Sequence, residues 1–140
     1  MADTAPIRIE VGDLTFLARL EREAAPATVS ALIRLLPLEG SLLQARWSGE
    51  SAWMPLGELD TGLGEENATD QPAPGQLLLY PHGVSETEIL FPYGQTLFAS
   101  KFGRLRGNHV MTVIEGAHRL SELGRRVVWN GAQPIRFSIG

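Results

Sequence analysis

The chain switches between two hydrophobic periods. In "IRIEV" (7–11), Ile7, Ile9 and Val11 fall on one face and Arg8 and Glu10 on the other, the period of a half-buried strand. Gly12-Asp13 supplies a two-residue turn, and "LTFLARL" follows with Leu14, Phe16, Ala18 and Leu20 on one face, so an opening hairpin is predicted. In "APATVSALIRLLP" the period changes: Val29, Leu32, Ile33 and Leu36 stand at i, i+3, i+4 and i+7, one stripe of a helix. Pro26 suits a first turn and Pro37 disfavours helical geometry before it, which predicts a helix over 26–36. "GSLLQARWSGESAWMPLG" reads as two strands around Ser48-Gly49. "QLLLYP" (76–81) is continuously apolar, as in a strand covered on both faces. "TEILFPYG" (87–94), "TLFAS" (96–100) and "NHVMTVIEG" (108–116) are also strand-like. "AHRLSELG" predicts a short helix stopped at Gly124, followed by extended "RRVVWN" and an alternating "QPIRFSI". Residues 57–75 carry no period and are rich in Gly, Pro and acid; so long a loop is expected beside a functional cleft and more mobile than its surroundings. These elements predict a mainly β protein: a closed antiparallel barrel capped by two short helices, one domain over 1–140.

Composition narrows the chemistry. At 44% hydrophobic, 140 residues can bury a core without staples. The absence of cysteine excludes disulfides and thiolate metal sites and fits a reducing, cytoplasmic setting. "MADTAPIRIE" has no basic segment followed by an apolar run, so no secretory signal is expected, and no run reaches the roughly 20 apolar residues of a membrane span. The net charge of −4 argues against nucleic acid as a partner. Charge is unevenly spread: residues 1–70 carry 5 basic and 12 acidic side chains (−7), residues 71–140 carry 7 and 4 (+3). The second half can present a positive field to a small anion, or simply face the acidic half. Eleven of the 12 basic residues are Arg; Lys101 is the single Lys.

Several long motifs carry a family resemblance. "ARWSGESAWMPL", "ENATDQPAPGQLLLYPHGVSETEILFPYG", "FASKFGRLRGNHVMTV" and "WNGAQPI", in this order between Ala45 and Ile135, resemble the DUF3830 family of prokaryotic proteins with a cyclophilin-like barrel. The opening hairpin and "APATVSALIRLL" helix also resemble the beginning of cyclophilins. The resemblance implies the fold and brings no activity with it. Cyclophilins isomerise prolyl bonds with an Arg in a groove of aromatic and Gln side chains. Arg46 in "QARW" falls near where that Arg would lie, but no Gln-Gly-Gly segment follows, so isomerase activity is not expected.

Candidate site residues are polar groups set among apolar ones. Arg46 with Glu50, beside Trp53, can form a pair that orients a carboxylate, or an ordinary surface ion pair. Tyr80, His82 and Glu88 surround one tight connection; His82 can titrate near neutrality or merely be solvated. Glu88, flanked by Ile89 and Leu90 in an apolar strand, needs either a site or an outward-facing rim. In "FASKFGRLRGNH", Gly107 marks a position closed to side chains, and Asn108 and His109 point to opposite faces, so one faces inward. Asn108 can fix a polar ligand or tie down a loop. Ser100 has no adjacent base, which leaves a serine hydrolase without support. His82, Glu88 and His109 follow no metal-ligand spacing, and there is no phosphate loop or dinucleotide fingerprint, so neither metal nor cofactor is expected. The leading expectation is a ligand-binding module whose cleft gathers Arg46, Glu50, Trp53, Tyr80, Glu88, Ser100, Asn108 and His109 around a small polar or carboxylate-bearing ligand or a peptide. An enzyme using Glu88 or His109 as acid–base, and a homo-oligomeric subunit using the "QLLLYP" and "VVW" strands, remain the alternatives.

Overall fold

The computed structural model describes residues 5–140. Strands β1 (Ile7–Val11) and β2 (Leu14–Leu20) form the opening hairpin, with Gly12 at φ +58° in its turn. Helix α1 (Pro26–Leu35) follows. The chain continues through β3 (Leu38–Gln44), β4 (Gly49–Gly57), β5 (Ala68–Thr69), β6 (Gln76–Tyr80), β7 (Thr87–Thr96), β8 (Ala99–Ser100), β9 (Gly103–Arg104) and β10 (Gly107–Glu115). A 3-10 turn (Ala117–Arg119), α2 (Leu120–Asn130) and β11 (Gln133–Ile139) complete it.

Eight strands close an antiparallel barrel in the order β2-β1-β11-β3-β4-β7-β6-β10. It closes where β10 pairs with β2, Met111 opposite Leu20 and Thr112 opposite Arg19. Alternation along each strand fills the interior: Ile7, Ile9 and Val11 of β1 meet Phe16 of β2, Ile89 and Phe91 of β7 and Phe137 of β11 in one core. Phe16 and Phe91 pack edge to face with centroids 5.6 Å apart.

A second apolar cluster lies on the outer face of β4, β7 and β6. Leu78 and Tyr80 of β6 and Leu90 of β7 point outward, yet are buried under Phe98, Leu105 and Ala45, with Trp53 at the edge. Two backbone bonds hold this cover: Phe98 N–H donates to Asp70 O at 2.7 Å and Leu105 N–H to Phe98 O at 3.0 Å. Gly107 lies beneath it, where a Cβ would come within 2.9 Å of Leu78 and 3.1 Å of Phe98. Two-sided cover explains why β6 reads as an unbroken apolar run, and it withdraws Leu77, Leu78 and Leu79 from any oligomer surface. Val128 and Trp129 of the "VVW" segment are exposed.

The last third departs from the sequence expectation. "RRVVWN" is helical and belongs to α2, and Gly124 lies inside that helix instead of ending it. Leu120, Leu123 and Val127 form its buried stripe. Gly124 is there because α2 lies directly on Tyr93: a Cβ at 124 would sit 2.3 Å from the ring. The chain leaves the helix at Gly131, at φ +82°. A glycine required by close approach and one that terminates a helix look alike in sequence. Among the described residues, no helix is long and apolar enough to cross a membrane.

Candidate functional site

The outer-face cluster opens at one end into a pocket of about 540 Å³. Its floor is Glu88 of β7 with Trp53 of β4, and its two lips are the 45–48 loop and the β8–β9 hairpin. Each lip is locally determined. Tyr93 donates its hydroxyl to Gln44 Oε1 at 2.6 Å, and Gln44 Nε2 donates to Ala45 O and Gly49 O, both at 3.2 Å, which fixes the 45–49 turn. Ser48 ties the lips together: its hydroxyl accepts from Ala99 N–H and donates to Ala99 O, both at 3.1 Å. Ser100 Oγ accepts from Phe102 N–H at 3.1 Å, which turns the hairpin tip.

Each lip presents a cation next to an aromatic ring. Arg46 stacks over Trp47, 5.8 Å from its centroid, and Lys101 over Phe102 at 5.1 Å. Trp47 is 53% and Phe102 72% exposed, and among the described residues neither Arg46 nor Lys101 has a carboxylate partner. Most of the remaining wall is apolar, including Leu43, Ala45, Val127 and Ala132.

Glu88 is 6% exposed, on the outward face of β7 opposite Pro55 of β4 and Tyr80 of β6. No described side chain or backbone N–H donates to its carboxyl. Burial pushes its pKa up to about 8, with the negative charge of Glu86 adding to the rise, so near neutrality it is mostly a neutral acid.

The structure brings Arg46, Trp53, Glu88 and Ser100 to this pocket and sends the other four candidates elsewhere. Glu50 does not pair with Arg46; its Oε1 accepts from Gln95 N–H at 2.9 Å, and it borders a separate groove beside α2. Tyr80 is buried edge-on against Phe98, and its hydroxyl accepts from Val84 N–H at 3.0 Å. Asn108 faces inward beneath α1: Nδ2 donates to Thr28 Oγ1 at 3.1 Å and to Gly64 O at 2.9 Å, and Oδ1 accepts from Glu66 N–H at 3.0 Å. His109 turns to the far side, its Nε2 2.8 Å from Thr112 Oγ1 and 3.9 Å from Glu21. Burial holds its pKa below the usual value. His82, at φ +93°, lies 3.4 Å from Glu58 at the surface. The common cause is that a strand offers two faces and the barrel several edges, so polar residues close in sequence part company in space.

The 57–75 segment does not border this pocket. It adjoins the lips instead of lining the pocket: Asp70 O accepts from Phe98 N–H, the Asp70 carboxylate lies 3.4 Å from Arg104 of β9, and residues 71–74 share a second groove with Trp47 and Ser48, while Asn108, Glu66 on Thr28, and Thr87 Oγ1 donating to Leu59 O at 2.6 Å pin the rest of the segment. Sequence reasoning did not single out Trp47, Lys101 and Phe102. Their signal was present: two adjacent cation–aromatic pairs, "RW" and "KF", in connections between strands, one of them holding the chain's single Lys.

The sequence matches the model of the protein family of unknown function DUF3830 over residues 7–139. A search of curated proteins finds no match. Among solved structures, McbB in complex with tryptophan is similar at TM-score 0.71 and 20% identity over 95% of this chain; the match spans 44% of McbB. The hypothetical protein AF2241 from Archaeoglobus fulgidus is similar at TM-score 0.59 and 18% identity, over 99% of this chain and 96% of that one. The Mimivirus cyclophilin is similar at TM-score 0.60 and 11% identity, over 98% and 88%. At these identities the likeness is one of fold, and the barrel is cyclophilin-like.

Proposed function

Since the chain belongs to the DUF3830 family and carries a cyclophilin-like barrel, function has to be read from its own pocket, and we propose that this pocket binds a small ligand with an apolar body and a carboxylate. One observation carries the reading: two cations without a carboxylate partner among the described residues, Arg46 and Lys101, stand at the mouth of an otherwise mostly apolar cavity. About 540 Å³ lies within the range of about 300–1,000 Å³ usual for small-molecule sites. Trp47, Trp53 and Phe102 offer flat surfaces to an apolar or aromatic body, and the guanidinium and ammonium groups offer charge-assisted hydrogen bonds to a carboxylate. McbB, a protein of similar fold, is described in complex with tryptophan, a molecule with an aromatic body and a carboxylate.

Calorimetric titration with 3-phenylpropionate and its uncharged amide tests the reading. The acid is expected to bind and the amide at least about tenfold more weakly, since a hydrogen bond to a charged group contributes about 1.5–3 kcal/mol. Arg46→Ala and Lys101→Ala should each weaken the acid by a similar factor while leaving the melting temperature in place, because both side chains are exposed. Equal binding of acid and amide would sink it.

A second reading, acid–base chemistry on the bound molecule, is favoured by the position of the Glu88 pKa at about 8, close to an operating pH. It predicts a turnover that titrates with Glu88 and is lost in Glu88→Gln. Full activity in that variant would remove it.

A further inference from the structure

We propose that Glu88 recognises a primary amine, so that the pocket takes a small molecule carrying both an ammonium and a carboxylate on an apolar body. This rests on the reading that the lips hold the carboxylate.

The fold satisfies nearly all of its other buried polar side chains from within. Thr28, Ser48, Thr87, Thr96 and Asn108 each hydrogen-bond within the chain. Ser51 Oγ has no partner, but it is sealed in the sheet opposite Pro92 and borders no described pocket. Glu88 combines burial, no donor to its carboxyl, and an open side toward a cavity. A buried carboxyl is costly to ionise alone, and its strongest complement is a cation carried in by a ligand.

The surrounding charges set the orientation. Those placed around Glu88 are Glu86, two residues earlier on the same chain segment, Tyr80 across β6, whose hydroxyl is occupied by Val84 N–H, and Arg46 and Lys101 on the lips. β4 offers only the uncharged Pro55 and Trp53. The floor is therefore negative once Glu88 ionises, and the mouth is positive. A zwitterion matches both ends, ammonium inward and carboxylate outward, whereas a simple acid leaves the floor unused.

Pairing with an ammonium draws the proton off Glu88, so binding releases a proton. The proton inventory is measured by calorimetry at pH 7 in two buffers of different ionisation enthalpy, with phenylalanine, 3-phenylpropionate and phenethylamine as probes. Phenylalanine is expected to bind at least about tenfold more tightly than 3-phenylpropionate and to release close to one proton. Its affinity should strengthen by nearly tenfold per pH unit below the Glu88 pKa of about 8, pass through a maximum near or just above it, and fall once the ligand's own ammonium loses its proton. Glu88→Gln should abolish the release and the preference while still binding 3-phenylpropionate. If 3-phenylpropionate binds as well as phenylalanine and no proton is released, the amine role is overturned and the carboxylate reading stands. If phenethylamine binds with proton release and 3-phenylpropionate does not bind, the amine role stands and the carboxylate reading falls. If none of the three binds, both fall.

Discussion

Asn108 and Glu88 are both buried polar residues on barrel strands, 0% and 6% exposed, and the fold treats them in opposite ways. Asn108 is surrounded by partners: Thr28, Gly64 and the Glu66 N–H use its donors and acceptor, and the Glu66 carboxylate turns back to cap α1. That carboxylate accepts from Ala27 N–H at 3.2 Å, Thr28 N–H at 2.8 Å and Thr28 Oγ1 at 2.7 Å. The helix lacks a side-chain cap of its own at Ala25, so a loop residue far along the chain supplies it. Asn108 is thus a structural knot joining α1, the 57–75 segment and β10. Glu88 has no such partners and faces a cavity. Burial alone does not mark a site; burial with an unfilled hydrogen-bonding capacity toward open space does.

Breaking the knot gives the largest expected effect. Asn108→Ala leaves Gly64 O and Glu66 N–H without their partner and removes a donor from Thr28, with an expected loss of about 3–5 kcal/mol in urea unfolding at pH 7. Binding to the folded fraction should be unchanged. A loss under about 1 kcal/mol would show that Asn108 is not the structural member of the pair.

Glu88→Gln should act in the other direction, and only above mildly acidic pH. The folded value of about 8 lies above the usual 4.5, so between them the native state holds a proton that the unfolded chain has lost. Stability is complete below the lower value and falls as pH rises through the window, by at most about 1.4 kcal/mol for each pH unit crossed. The variant lacks this slope. Urea midpoints should coincide near pH 4 and favour the variant by up to a few kcal/mol near pH 8.5; parallel profiles for parent and variant would contradict the assignment.

Glu66→Gln gives the smallest change. Hydrogen bonds from Thr28, side chain first and then backbone, hold the Glu66 pKa below its usual value, so its contribution is present above 4.5 and is lost as pH falls. A neutral amide oxygen still accepts, and the expected loss at neutral pH is about 1 kcal/mol, shrinking in acid as the parent carboxyl protonates. A difference that does not shrink in acid would place the effect in packing instead of charge.

Much of the fold was legible along the chain. The alternation of "IRIEV" and "LTFLARL", the stripe of α1, and the unbroken "QLLLY" each follow from which faces are covered, and local hydrophobic period reports that directly. "LSELGRRVVWN" was misread because its glycine serves a contact with Tyr93, some thirty residues away, that no local period reveals. The candidate site was legible residue by residue and illegible as a set. Glu88 stood out as a carboxyl in an apolar strand, and so did Asn108. What separates them is which face of the sheet each side chain takes and what the rest of the chain brings there. The sequence by itself determined the opening hairpin, the first helix, most of the barrel strands and the polar residues that would need a reason. Tertiary structure alone decided that Asn108 is tied up beneath α1 and that Glu88 looks into a pocket with Arg46 and Lys101 at its mouth, because hydrogen-bond satisfaction and desolvation depend on neighbours brought from distant parts of the chain.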